Sequence, residues 1–172
     1  RAGQHGVSNP HSETSITRCV DEAIQLLSLG DRRQSVQFNN ECPSSLSIQG
    51  DEQRLVQVFV NLLSNARDAS PEQGVVRVAG AMEDGIVRVI VSDDGDGIPE
   101  DRIDHIFEPF YTTKGPNRGT GLGLSLVYNI MEEHHGGIHA ESPANPENAR
   151  GTRFVMTFPT ASNAAEQAEN SS

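Results

Sequence analysis

Lys114-Gly115-Pro116-Asn117-Arg118-Gly119-Thr120-Gly121-Leu122-Gly123-Leu124-Ser125-Leu126 is the stretch on which the reading of this chain turns. A glycine-rich, one-sidedly basic loop runs into an apolar helix expected to start near Leu122. Lys114 is the only lysine in the sequence, and Arg118 accompanies it. Glycines let backbone N–H groups come close to an anion, and a helix N-terminus adds partial positive charge. The segment therefore reads as a phosphate cradle, or as a flexible turn; the rest of the chain decides between them.

The chain has 172 residues, which suggests one domain with a core that needs no disulfides. It carries 24 acidic against 13 basic side chains, a formal charge of −11. Such a surface repels nucleic acid and anionic membranes. It also repels a nucleotide unless cations gather locally or a metal helps. Cys19 and Cys42 lie far apart without CxxC spacing and read as reduced thiols of a cytosolic protein. No signal peptide and no apolar run of about 18 residues is present, so no membrane contact by this chain is expected. The sequence starts at Arg1, without methionine, and reads as part of something longer.

Residues 1–14 are rich in Gly, Ser, Asn and His and read as a linker. His5, followed by Asn9-Pro10, is read as loop and not as a phosphoacceptor, because no acidic residue follows it. Ile16, Val20, Ala23, Ile24 and Leu27 share one face of a helix closed by Gly30. Gln34 to Asn40 alternates as a short strand, and Leu46 to Ile48 is a second, weaker candidate.

Asp51 to Ala69 is the best helix of the sequence, with Asp51 as N-cap and Leu55, Phe59, Leu62 and Ala66 as its core stripe. At about 100° per residue, Gln57, Asn61, Asn65 and Asp68 share another face. That stripe is either the wet side of a surface helix or a ligand face. Asparagines are mediocre helix formers, and two of them one turn apart ask for a reason. Amide oxygens so spaced can hold a hard cation such as Mg²⁺.

Gly74 to Met82 and Ile86 to Asp93 read as strands joined by an Asp84-Gly85 hairpin turn. Val87, Val89, Val91 and Asp93 fall on one face, so Asp93 points to the core side at the strand's end. A carboxylate there needs donors. It either caps the following turn or accepts from a ligand amine. Asp94 to Pro99 is then a tight glycine turn that a flat ring can approach. Glu100 to Ile106 reads as a short helix. The cluster Phe107, Phe110, Tyr111 precedes the glycine loop and is read as core or as an anchor of a lid. Leu122 to His134 is a helix with Leu124, Val127, Tyr128 and Met131 inward, ended by Gly136 and Gly137. His134 and His135 read as solvated helix-end residues. Ile138 to Ser142 and Thr152 to Phe158 are the last strands. Residues 161–172 form a tail expected to be disordered.

Taken together, residues 15–160 resemble the catalytic ATP-binding domain of sensor histidine kinases, a family shared with gyrase, Hsp90 and MutL. Asp51 to Ala69 looks like its N box, Asp93-Asp94-Gly95-Asp96-Gly97 its G1 box, Phe107 to Phe110 its F box, Gly119 to Leu124 its G2 box, and Gly151-Thr152 its last small motif. The run Phe107 to Lys114 is similar to the nitrogen-regulation and dicarboxylate-sensing subgroup. The resemblance implies an α/β (α+β) two-layer sandwich: a mixed, mainly antiparallel sheet packed against about three helices, the Bergerat-type ATP-binding fold.

The resemblance further implies roles for residues. Asn65 ligates Mg²⁺, with Asn61 assisting the metal or the phosphates, and Arg67 reaches the phosphates. Asp93 takes the adenine amine, with Gly95, Gly97, Ile98 and Tyr111 around the nucleotide and Thr152 supporting through water. Lys114, Arg118, Gly119, Thr120, Gly121, Leu122, Gly123 and Leu124 form the phosphate loop and its helix. Hydrolysing relatives carry a Glu one turn before the metal Asn as a water-activating base; Asn61 stands there instead. The implied reaction is transfer of the ATP γ-phosphoryl to a histidine on a separate dimerisation domain of the same kinase, upstream of a response regulator. That domain is absent here, so ATP binding without appreciable autophosphorylation is expected, from a cytoplasmic monomer. Two alternatives are a nucleotide-binding interaction module without turnover and a serine kinase resembling anti-sigma factors.

Overall fold

The computed structural model describes residues 12–30, 36–109, 111, 123–143, 147 and 150–160. Among the described residues, seven strands and three helices follow in order. They are β1 (Glu13–Ser15), α1 (Ile16–Gly30), β2 (Gln37–Asn40), β3 (Ser47–Gln49), α2 (Glu52–Ala69), β4 (Val75–Glu83), β5 (Ile86–Asp93), α3 (Gly123–Glu133), β6 (Gly137–Glu141) and β7 (Thr152–Pro159).

The main sheet has five strands in the order β2-β4-β5-β7-β6. Only β2 and β4 run parallel; the other pairs are antiparallel. The small pair β1-β3 is separate. Alternation builds the sheet: Val76 and Val78 on β4, Val87, Val89 and Val91 on β5, and Phe154, Met156 and Phe158 on β7 are all buried. They meet Ile16, Val20 and Ala23 of α1, Leu55, Phe59, Leu62 and Ala66 of α2, and Val127, Ile130 and Met131 of α3 in one core. This is the sandwich of mixed sheet and three helices that the sequence leads one to expect. Asp84 (φ 53°) and Gly85 (φ 76°) make the two-residue turn between β4 and β5, where positive φ at both positions suits the twist of a hairpin.

Several local expectations change. Glu13 and Thr14, placed in a linker, belong to β1, and the Thr14 hydroxyl donates to the Gly50 carbonyl at 3.0 Å. Strand β2 begins at Gln37; Gln34 lies outside the described residues. The short helix expected over 100–106 is a 3-10 turn, Ile103–His105. Helix α3 is closed by His135 in the left-handed region (φ 59°), not by a glycine. Gly136 is needed for a different reason: a Cβ there would stand 2.3 Å from the Thr157 carbonyl oxygen of β7. Tyr128, expected inward, is 42 % exposed, with its ring tilted against Phe107 at 5.9 Å.

His134 is the clearest reversal, because it is buried, not solvated. Its Nδ1 lies 2.8 Å from the Ile130 carbonyl, and its Nε2 accepts the Asp51 N–H at 3.1 Å. A carbonyl can only accept and an amide N–H can only donate, so the ring is the neutral Nδ1–H tautomer. Asp51 in turn caps α2, accepting from Gln53 N at 3.0 Å and Arg54 N at 3.3 Å. Arg54 holds Glu133 in a forked pair, at 2.8 and 2.7 Å through Nη2. The C-terminal end of α3 is thus fastened to the N-terminal end of α2.

Replacing His134 with leucine leaves the buried Asp51 N–H without an acceptor and costs about 1–3 kcal/mol in urea unfolding. Arg54→Ala, at a partly exposed pair, costs less than about 1 kcal/mol in the same measurement.

Candidate functional site

Strand β5 delivers Asp93 to the core side because the three alternate residues before it are buried valines. Asp93 itself is only 5 % exposed. Its Oδ1 accepts the Gly95 N–H at 2.8 Å. Thr152, its register partner at the start of β7, supplies a second backbone hydrogen bond and is also buried. Burial pushes the Asp93 carboxyl up from 3.8 to about 6; the two backbone donors pull the other way, and the neighbouring Asp94 charge adds to the rise.

The following turn is tied down on all sides. A Cβ on Gly95 would stand 2.2 Å from the Ala69 carbonyl oxygen, so the turn packs directly on the end of α2. The Gly95 carbonyl accepts the Gly151 N–H at 2.8 Å. Gly97 has φ 84°, and its own Cβ would meet Ser142 Oγ at 2.7 Å. The Ile98 N–H donates to that same Ser142 Oγ at 2.9 Å, while Ile98 packs on the core.

Helix α2 carries the second set of groups. Asn61 and Asn65 are half-buried on one face, one turn apart. The Asn61 Nδ2 donates to the carbonyl of Gly123, the first residue of α3, at 3.2 Å. A Cβ on Gly123 would meet nothing within 4 Å among the described residues, while Leu124 behind it packs on the core. The asparagine face and the N-terminal end of α3 are therefore neighbours. A buried carboxylate able to accept, amide oxygens that suit a hard cation, and a helix N-terminus beside them fit a nucleotide and its metal.

Not every expected residue comes here. Arg67 lies two residues beyond Asn65, about 200° round the helix. Its Nη1 donates to the Leu27 carbonyl of α1 at 3.5 Å, so it is not brought to the asparagine face. Tyr111 packs on the core, and its buried hydroxyl has no partner among the described residues. Phe107 stands edge-on to Phe154 at 6.2 Å, consistent with a core role. Lys114, Arg118, Gly119, Thr120, Gly121, Leu122 and Phe110 lie outside the described residues. Ser142 was not foreseen; its one sequence signal is its place between the last two strands, before Pro143.

A hollow of about 590 Å³ opens among Leu46, Met82, Gly85 and Thr160. It lies at the hairpin end of β5, about 25 Å from the Asp93 end at roughly 3.3 Å per residue. No buried ionisable group lines it.

The chain belongs to the histidine kinase-, DNA gyrase B- and HSP90-like ATPase family, whose model matches residues 50–162. Its relatives within that family include sensor histidine kinases. Sporulation kinase A of Bacillus subtilis (strain 168) is 45 % identical over 115 residues, 67 % of this chain and 18 % of that protein. Sensor histidine kinase ZraS of Escherichia coli (strain K12) is 36 % identical over 145 residues, 84 % of this chain and 30 % of that one. The catalytic domain of histidine kinase ThkA superposes with a TM-score of 0.76 at 33 % identity, covering 88 % of this chain and 97 % of that one. The chain thus spans under a third of each of these two full-length relatives and nearly all of a histidine-kinase catalytic domain. It is an ATP-binding catalytic domain of the histidine-kinase kind.

Asp93 gives the domain a pH signature. Its folded-state pKa is raised, so the folded form holds the proton more tightly. The resulting stability is fully present below about pH 3.8 and is lost as pH rises through about 6. Chemical unfolding between pH 4 and 7 should show this loss, on the order of 2–3 kcal/mol. Asp93→Asn should flatten that part of the profile.

Proposed function

We propose that this domain binds Mg²⁺-ATP between α2, the Asp93 turn and α3, and donates the γ-phosphoryl group to a histidine on a separate dimerisation domain of a two-component sensor kinase. The observation that carries the reading is that the turn after Asp93 packs on the end of α2, the helix that bears a second, unlike set of groups. A buried acceptor, Asp93, suits an adenine amine, and an amide face, Asn61 and Asn65, borders the N-terminal end of α3. The family is one of ATP-using domains. Full-length ShkA, which superposes with a TM-score of 0.72 at 27 % identity, has been crystallised in complex with AMPPNP.

In this reading Asp93 orients the purine through its exocyclic amine, and Gly97 and Ile98 form the flat wall beside it. Bound Mg²⁺ would neutralise phosphate charge, with Asn65 Oδ1 as its protein ligand. Lys114 and Arg118 add local positive charge that offsets the net −11 of the chain. The acceptor imidazole attacks the γ-phosphorus, an N–P bond forms, the bridging O–P bond breaks, and ADP leaves with that electron pair. Asn61 cannot take a proton from water, and its Nδ2 is occupied by the Gly123 carbonyl. Transfer to a positioned nucleophile is favoured over hydrolysis for that reason.

The parent protein would pass the phosphoryl group on to a response regulator. ThkA, in another related structure, is held in complex with the response regulator TrrA. Among the described residues no helix is long and apolar enough to cross a membrane. The reaction needs ATP, which places this domain on the cytoplasmic side of whatever protein carries it.

Isothermal titration should show ATP binding that strengthens with Mg²⁺. Asn65→Ala and Lys114→Ala should each weaken it by about 10- to 100-fold, the range expected for a hydrogen bond to a charged group. Mixed with a separately made dimerisation domain, the protein should produce an acid-labile phosphohistidine. Acid-stable phosphate would point to a serine acceptor, and unchanged titrations for both variants would remove the assignment.

A further inference from the structure

Three segments of the chain meet at one hydroxyl. Ser142 stands just past β6, Ile98 closes the turn after β5, and Gly151 precedes β7. The Ser142 Oγ accepts the Ile98 N–H at 2.9 Å and donates its own proton to the Gly151 carbonyl at 3.0 Å. Both roles of the hydroxyl are therefore used. The Gly151 N–H returns to the Gly95 carbonyl at 2.8 Å, closing a ring of contacts around the turn.

We propose that Ser142 is a positioning residue for the purine, which sets the distance between the 95–98 turn and Asp93. The turn's near end is held by the Gly95 N–H on the Asp93 carboxylate. Its far end is tethered by a side chain, that of Ser142. Gly97 is pressed against the same oxygen: a Cβ would stand at 2.7 Å, and the residue adopts φ 84°. Loss of the hydroxyl frees the Ile98 N–H and the Gly151 carbonyl together. The turn then drifts from the plane that a flat ring needs, while Asp93 stays on its strand. Both hydrogen bonds of Ser142 go to the turn and to the start of β7, so it acts on the base and not on the phosphates.

This inference rests on the nucleotide reading, and its test separates the two. Affinities for adenosine, ATP and GTP are measured by calorimetry, with and without Mg²⁺, for the wild-type domain, Ser142→Ala and Ser142→Thr; melting temperatures are taken alongside. For Ser142→Ala, adenosine and ATP should each bind about 5- to 10-fold more weakly, the loss expected for one neutral hydrogen bond. Its preference for ATP over GTP should shrink, and the fold-gain from Mg²⁺ should stay at the wild-type value. Ser142→Thr keeps the hydroxyl and should restore adenosine affinity. A lower melting temperature with unchanged adenosine affinity would overturn the proposal and leave Ser142 with a purely structural role. Equal losses for Ser142→Ala and Ser142→Thr would also overturn it. Absence of adenosine and ATP binding by the wild type would instead overturn the nucleotide reading itself.

Discussion

Asp93 ends a column of buried valines, and it is the one member of that column with a charge to satisfy. A carboxylate taken out of water without donors costs several kcal/mol. The structure meets this demand with backbone amides, from Gly95 just ahead and Thr152 across the sheet. Much of the surrounding architecture follows from bringing those two amides within reach. The turn must fold back on its own strand, which presses Gly95 onto the end of α2 and excludes any side chain there. Strand β7 must start opposite Asp93, which makes Gly151, at φ 89°, the corner where the chain enters the sheet. The raised proton affinity of Asp93 shows that the donors offset the burial only in part.

The site also depends on two helices lying side by side. Helix α2 carries the asparagines, and α3 brings its N-terminal end beside them. Apolar packing alone resists separation of two rods better than it resists sliding. Directional contacts at both ends supply what packing lacks: Asn61 on Gly123 at one end, His134 on Asp51 and Arg54 on Glu133 at the other. The partly exposed ion pair adds little stability, but the buried imidazole bond specifies register.

Much of this was legible in the sequence, for identifiable reasons. Period-two alternation placed β5 with its actual bounds and turned Asp93 inward. Period 3.6 gave α2, its cap and its core stripe, since Asp51, Leu55, Phe59, Leu62 and Ala66 satisfy short-range rules. The misreadings concern contacts between residues far apart in the chain. His134 looked like a wet helix end because nothing nearby reveals that Asp51, 83 residues earlier, needs an acceptor. The resemblance implies a phosphate role for Arg67, while its guanidinium donates to the Leu27 carbonyl of α1, a partner 40 residues away that no local pattern reveals. Strand β1 has only three residues, too few for a periodic signal, and exists because β3 is there to pair with it. Ser142 has only its place before Pro143 to mark it, and its partners Ile98 and Gly151 cannot be read from that.

The engaged ring of His134 has one more consequence, in a protein class whose currency is phosphorylated imidazole. A phosphoryl group can be accepted only by a ring nitrogen with a free electron pair and room for a tetrahedral group. In His134 the one available pair is already given to a main-chain amide, and Gly50 lies so close to the buried ring that a Cβ there would stand 2.8 Å from it. The fold has therefore taken this one histidine out of reach of phosphoryl transfer, and has done so with the same contact that caps its register against α2.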